Sequence, residues 1–161
     1  MKILIIFYLL LISIISYADN SIDIIVVNKS ERILYVVKND KIIKKYEIAL
    51  GLNPSGHKKK EGDKKTPEGY YFIDGKNSNS KYFLSLHTSY PNFHDKQVSV
   101  KNNVNPGEHI AIHGLPSISI LSQHLYSKGV DWTDGCIALN NSDMQELWDL
   151  TEEGTQIIIK P

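Results

Sequence analysis

Short runs of isoleucine, valine, leucine and tyrosine recur along this chain. Each is cut off by asparagine, aspartate, glycine or proline, and that rhythm confines the chain to a mainly β fold. Residues 22–27, 33–38 and 41–50 read as a meander of strands with a tight hairpin at Asn39 and Asp40. Residues 70–74 and 81–87 read as two further strands around a turn over 74–80. Residues 110–113, 137–139 and 155–160 supply the rest. Helical signals are fewer. Residues 141–153 have N-caps in Asn140, Asn141 and Ser142, an acid at Asp143, and Gly154 as a C′ residue. Met144, Leu147, Trp148 and Thr151 share one face there, which reads as core. Residues 117–127 read as a weaker helix, and 92–103 as irregular or a short helix. No repeat or linker divides the 161 residues, which implies one mostly β domain with one or two helices.

Charge says little about partners. Lysine plus arginine (18) balances aspartate plus glutamate (18), so nothing points to nucleic acid or an anionic membrane surface. Arg32 is the only arginine, which matters because arginine is the usual bidentate clamp for a carboxylate. Residues 51–69 are too rich in glycine, proline and lysine for a regular element. A loop that long in a compact domain is usually functional or disordered. Its run of Lys58, Lys59 and Lys60, with Lys64 and Lys65, reads as a solvated face, and His57 and Asp63 stand out within it.

The first 18 residues read as a secretory signal peptide. Lys2 gives a positive start, 3–15 is nearly all apolar, and Ser16-Tyr17-Ala18 offers small residues at a cleavage site. The apolar run is short against the roughly 20 residues of a spanning helix. The expectation is export to the periplasm or cell envelope, with residues 19–161 as the folded domain.

Export gives weight to Cys136, the only cysteine. Small secreted domains usually carry cysteines in disulfide pairs, so an unpaired thiol there is either intermolecular or reactive. Thr133, Asp134 and Gly135 supply turn chemistry directly before the sulfur. His113, followed by Gly114 at the end of a strand-like run, lies 136 − 113 = 23 positions upstream. The two make a candidate nucleophile and base. His113 would take or share the thiol proton, giving a thiolate at neutral pH that attacks a carbonyl, and backbone N–H groups around Gly135 and Cys136 would hold the oxyanion. Asp134 or a backbone carbonyl near Gly114 would orient the imidazole.

His113-Gly114 followed by Thr133-Asp134-Gly135-Cys136-Ile137 resembles the signature of the L,D-transpeptidase (YkuD-type) catalytic domain, which is His-Gly, then Ser/Thr-x-Gly-Cys and an aliphatic residue. Ala49-Leu50-Gly51, Gly56-His57-Lys58, Glu61-Gly62-Asp63, Thr66-Pro67-Glu68-Gly69 and the stretch from Ser85 to Pro91 also look like this family. Asp131 to Ala138 is closest to its periplasmic, murein-acting branch. The resemblance covers residues 22–161 and implies a β-sandwich-like domain acting on peptidoglycan stem peptides without a cofactor. It makes Cys136 the nucleophile and His113 the base, with Thr133, Asp134, Gly135 and Gly114 shaping the site. His57, Asp63, Thr66 and His87 match positions near the cleft, in substrate or loop contacts. The implied reaction forms a thioester on the third residue of a tetrapeptide, expels D-alanine, and yields a 3–3 cross-link when an amine from another stem resolves the thioester. Two positions depart from many members: Asp134 stands where a second histidine is common, and Ala138 where arginine is common. Without that arginine, Lys58, Lys59, Lys60 or a backbone nest would face a substrate carboxylate. Water as the resolving group would make the protein an L,D-carboxypeptidase or related murein peptide hydrolase.

Rival readings are weaker. A metal site is disfavoured, because His109 and His113 on one strand face would lie about 13 Å apart. A non-catalytic peptidoglycan-binding module would use the lysine-rich loop but would leave the Cys/His pair unexplained. A papain-like protease usually places its cysteine before its histidine, the reverse of the order here.

Overall fold

A computed structural model describes residues 21–116 and 120–161. The proposed signal segment lies outside the described residues, as do 117–119 of the weaker helix. The chain runs β1 (Ile24–Asn28), β2 (Ile33–Lys38), β3 (Lys41–Glu47), β4 (Gly69–Ser80), β5 (Phe83–Thr88), α1 (Phe93–Lys101), β6 (Ala111–His113), α2 (Ile120–Ser127), β7 (Ile137–Ala138), α3 (Asn141–Leu150) and β8 (Gln156–Lys160). The strand order is β3-β2-β1-β8-β4-β5-β6-β7, and the strands form two sheets that share β4, in a mainly β, sandwich-like domain. The described residues hold three helices, one more than the upper expectation.

Each early strand alternates as its sequence requires. Ile25 and Val27 of β1 and Leu34 and Val36 of β2 are wholly buried, while their neighbours face outward. Asn39 and Asp40 both take positive φ, 51° and 58°, the geometry of a two-residue hairpin whose twist matches its strands. β8 adds to β1 in parallel, and residues Gly69 to Phe72 of β4 pair with β8. From Ile73 onward β4 pairs instead with β5.

This twelve-residue strand replaces the turn expected over 74–80, and the reversal comes at the Ser80–Phe83 hairpin, with Phe83 at φ 70°. The polar run carried no strand signal because neither of its faces is well covered, so no hydrophobic alternation was needed. Lys76 within it donates to the Trp148 and Thr151 carbonyls at 2.8 and 2.6 Å, and its ammonium lies 4.6 Å from the Trp148 ring centroid. The Thr151 hydroxyl meanwhile bonds the Leu147 carbonyl at 2.6 Å. These bonds satisfy the last carbonyls of α3 and end it at Leu150, short of the expected Glu153. Asn140 caps its start by accepting from Asp143 N at 2.9 Å, and Met144 and Leu147 are fully buried.

The segment after β3 meets β7. Ala49 and Ala138 exchange two backbone hydrogen bonds, 2.9 and 2.8 Å, and Leu52 N donates to the Thr133 carbonyl at 3.0 Å. The two ends of the strand order therefore touch, which stops the second sheet at β7. Arg32 fixes this closure from behind. Its guanidinium grips Asp131 through Nε and Nη2, and Asp131 also accepts from Leu50 N at 2.8 Å.

Asp131→Ala should lower stability by about 1–3 kcal/mol, since it strips a charged partner from a guanidinium and an acceptor from a backbone N–H. Arg32→Lys should cost a smaller part of the same stability, because lysine keeps the charge but has no fork. Urea unfolding of each variant checks this, and an Asp131→Ala midpoint equal to the parent's would contradict the lock.

Candidate active site

The pairing of β5, β6 and β7 decides which side chains meet. Leu86, Ile112 and Ile137 lie in register and point into the core, each fully buried. Ser85 lies beside His113, His87 beside Ala111, and His113 beside Ala138, so these residues share the opposite face. Extending the β6–β7 register by one step puts Cys136 next to Ala111. His113 and Cys136 thus occupy one face on adjacent parallel strands, two residues out of step. From strand spacing and rise their Cα atoms lie roughly 8 Å apart, within reach of an imidazole and a thiol.

His113 is 3% exposed, and its Nδ1–H donates to the Gly114 carbonyl at 2.7 Å. That bond leaves Nε2 as the basic nitrogen. Tyr82 stacks on the ring at a centroid distance of 4.3 Å, and Trp132 meets it edge-on at 5.8 Å. Burial drives the imidazolium down to a pKa of about 4, opposed by the Gly114 carbonyl and aided by the Lys81 charge. Burial also pushes the Cys136 thiol up. The Ala111 N–H, Lys58 and Lys81 pull the other way, and the Asp134 charge adds to the rise. Cys136 is half-buried, and its thiol rests 3.7 Å from the carbonyl of His109, a residue at φ 63°. Burial thus disfavours the charged form of both groups, the imidazolium and the thiolate, because both lose hydration.

The turn before the sulfur is held from inside. The Thr133 hydroxyl donates to the Cys136 carbonyl at 2.7 Å and accepts from Gly135 N at 3.1 Å. The Gly135 N–H is thus engaged in shaping the turn. Gly135 takes φ 128°, and a Cβ there would sit 2.6 Å from the Lys65 carbonyl. A Cβ on Gly114 would sit 2.6 Å from Asn141 Oδ1, which accepts from Leu115 N at 2.7 Å. Asp134 is exposed and paired with Lys64, so the orienter of His113 is the Gly114 carbonyl.

The remaining candidates stand further back. A cleft of about 360 Å³ opens over Cys136, lined by Lys58, Glu61, Gly62, Lys64, Gly107, Glu108, His109, Ile110 and Asp134. His57, Asp63, Thr66 and His87 are not in that lining. Asp63 organises the loop beneath it, accepting from the backbone N–H of Lys59, Lys60 and Lys65 and from Lys58 Nζ. Burial opposes its charge, but these donors win and hold the carboxyl at about 2. The Thr66 hydroxyl accepts from Gly51 N at 3.1 Å. His57 accepts from Glu68 N through Nδ1, faces Asp95 through Nε2 at 3.2 Å, and lines a different cleft from Cys136. His87 shares the face of His113 across β6.

Three residues carry no sequence signal of their role: Tyr82 and Trp132 box the imidazole, and Asp131 locks the turn. Lys58, read both within a solvated charge run and as a candidate partner for a substrate carboxylate, is 4% exposed. The Asp63 four to five positions downstream of Lys58 and Lys59 was the one available signal for that loop's order. Among the described residues, no group of three or more His, Cys, Asp or Glu side chains is placed to hold a metal.

Two outcomes follow for turnover. With His113 neutral down to pH about 4, the acid limb of kcat/KM should fall at about pH 4–5, and a limb centred near the ordinary histidine value of about 6.5 would contradict the buried imidazole. Gly135→Ala should cut turnover at least about tenfold, because the Cβ forces the turn off the Lys65 carbonyl. Turnover equal to the parent's would show that the turn adapts.

The chain matches the YkuD L,D-transpeptidase catalytic domain over residues 22–159. The helical cell shape determining protein Pgp2 of Campylobacter jejuni is 32% identical, with a TM-score of 0.64 over 89% of this chain and 49% of its own. Bd1075 of Bdellovibrio bacteriovorus is 29% identical, with a TM-score of 0.62 over 87% of this chain and 48% of its own. This chain spans about half the length of either. An L,D-transpeptidase of Mycobacterium smegmatis, at 14% identity and a TM-score of 0.56 over 86% of this chain and 58% of its own, shares the fold. No curated protein matches the chain. With the family pattern matched across nearly all of the described fold, this chain belongs to the YkuD family of L,D-transpeptidase catalytic domains.

Proposed function

We propose that the protein is an exported, cysteine-dependent L,D-transpeptidase that acts on peptidoglycan stem peptides through a thioester at Cys136. The observation that carries the reading is the shared face of His113 and Cys136, with Nδ1 tied to Gly114 and Nε2 left basic. In the proposed step, Nε2 takes the thiol proton as Sγ attacks the carbonyl of the stem's third residue. The S–C bond forms, the C–N bond to D-alanine breaks, and the proton passes from the imidazolium to the leaving amine. An acceptor amine then displaces the thiol and gives a cross-link. Family membership supports the substrate class, and the apolar leader over 1–18 supports export.

Hydrolysis of the same thioester is a second reading, and one observation favours it. Ala138, where many relatives carry arginine, is fully buried between His113 and Ala49, so that position contributes no fork to the cleft. Water would then resolve the thioester and release a tripeptide.

Mass spectrometry of tetrapeptide muropeptides after incubation with the protein separates these. Dimers, or exchange of the terminal D-alanine for an added D-amino acid, mean transfer, and tripeptide alone means hydrolysis. Cys136→Ala should abolish both, and His113→Ala should cost about 10²–10⁴-fold. Turnover retained in Cys136→Ala would end the thioester reading. Unchanged muropeptides with wild-type protein, together with binding to peptidoglycan, would favour a non-catalytic binding module.

A further inference from the structure

The turn between β1 and β2 holds a buried cation outside the cleft. Lys29 is 3% exposed, and its ammonium uses all three N–H donors. They reach the Gly56 carbonyl at 2.9 Å, the Thr66 carbonyl at 2.9 Å and Glu68 Oε1 at 2.8 Å. Gly56 and Thr66 stand on opposite arms of the 51–69 loop, so one ammonium draws the two arms together. Between them run Lys58, Glu61, Gly62 and Lys64, which wall the cleft over Cys136.

The second arm of the loop meets the cysteine turn. Three successive carbonyls there have different partners. That of Lys64 accepts from Asn53 N at 3.0 Å, that of Lys65 lies against Gly135, and that of Thr66 accepts from Lys29. The fit is close, since a Cβ on Gly51 would collide with the Lys64 carbonyl and one on Gly135 would sit 2.6 Å from that of Lys65. The Thr66 hydroxyl accepts from Gly51 N at 3.1 Å, and Leu52 N donates to the Thr133 carbonyl at 3.0 Å. The Thr133 hydroxyl donates in turn to the Cys136 carbonyl at 2.7 Å. Hydrogen bonds therefore link Lys29 through Thr66, residues 51–52 and Thr133 to Cys136. A buried ion pair adds little net stability once desolvation is counted, whereas three converging bonds fix a geometry.

We propose that Lys29 is a positioning residue for Cys136, seating the Lys65 carbonyl on Gly135 and so fixing the turn that presents the sulfur to His113. The inference rests on the thioester reading for its catalytic meaning. It goes beyond that reading by naming a residue outside the cleft on which the placement of the thiol depends.

The test is a double-mutant cycle of Lys29→Met, which keeps the stem and removes the three donors, with Gly135→Ala. Lys29→Met should lower kcat at least about tenfold and change KM less than about threefold, since a displacement of about 1 Å costs up to about 10²-fold. The two losses should not multiply when combined, because both act through the contact between Lys65 and Gly135. The same cycle is run on the rate at which iodoacetamide alkylates Cys136, which needs no stem peptide. Lys29→Met should change that rate at least about threefold, again without multiplying with Gly135→Ala. Should Lys29→Met fail to fold, Lys29→Arg takes its place. A planar guanidinium cannot meet three acceptors that converge on one ammonium, so it should cost at least about threefold in kcat. Parent kcat in a folded variant at position 29, a loss confined to KM, or losses that multiply in either cycle would overturn the inference and leave the thioester reading standing. Failure of every protein, the parent included, to turn over muropeptides would overturn the thioester reading. The alkylation cycle alone would then decide the role of Lys29.

Discussion

Two backbone hydrogen bonds between Ala49 and Ala138 join the segment after β3 to the shortest of the described strands. A strand of two residues has too few ladder bonds to hold its own register, so β7 depends on neighbours at both edges. β6 supplies one edge in parallel and the Ala49–Leu52 segment the other. Asp131 ties that segment to the turn by bonding Leu50 N and Arg32 at once. The position of the sulfur is therefore set by residues from near both ends of the described fold, and little of it is local to the cysteine.

The same closure sets the electrostatics. His113 lies between Tyr82 and Trp132 on a face whose reverse side is the hydrophobic core, and such a place favours the neutral ring. Burial that disfavours both imidazolium and thiolate works against a buried ion pair there, whose desolvation would oppose the fold. The single cation that is buried at the cleft, Lys58, is stabilised by a carboxylate that itself takes three backbone N–H groups. Order in the 51–69 loop thus comes from polar bonds, since apolar side chains there are scarce.

Much of this was legible in the sequence. Wherever a strand has one buried face, as at Ile25 and Val27, the alternation betrays it, and Asn39-Asp40 announced the first hairpin through its tolerance of positive φ. Cys136 and His113 stood out through chemistry and spacing. What stayed hidden depends on long-range partners. The polar half of β4 is a strand only because β5 pairs with it, and α3 stops at Leu150 because Lys76 arrives from 75 positions away to meet Thr151. Lys58 looks like any surface lysine until the loop folds Asp63 over it. Arg32, noted for its rarity as a clamp for substrate, is spent on Asp131 instead.

The parallel pairing of β1 with β8 carries a consequence for how the molecule assembles. Ile24 lies beside Gln156, 156 − 24 = 132 positions later, so the β1 edge of the meander stays open until the last strand arrives. Among the described residues, β8 alone bridges β1 to β4, and thus to the half that carries His113 and Cys136. Contacts of such sequence separation form slowly and late. A partly made chain can build the β1–β3 meander, but it cannot join that meander to the remaining strands. Cys136 and His113 are then brought to their final register by the same late event that completes the core.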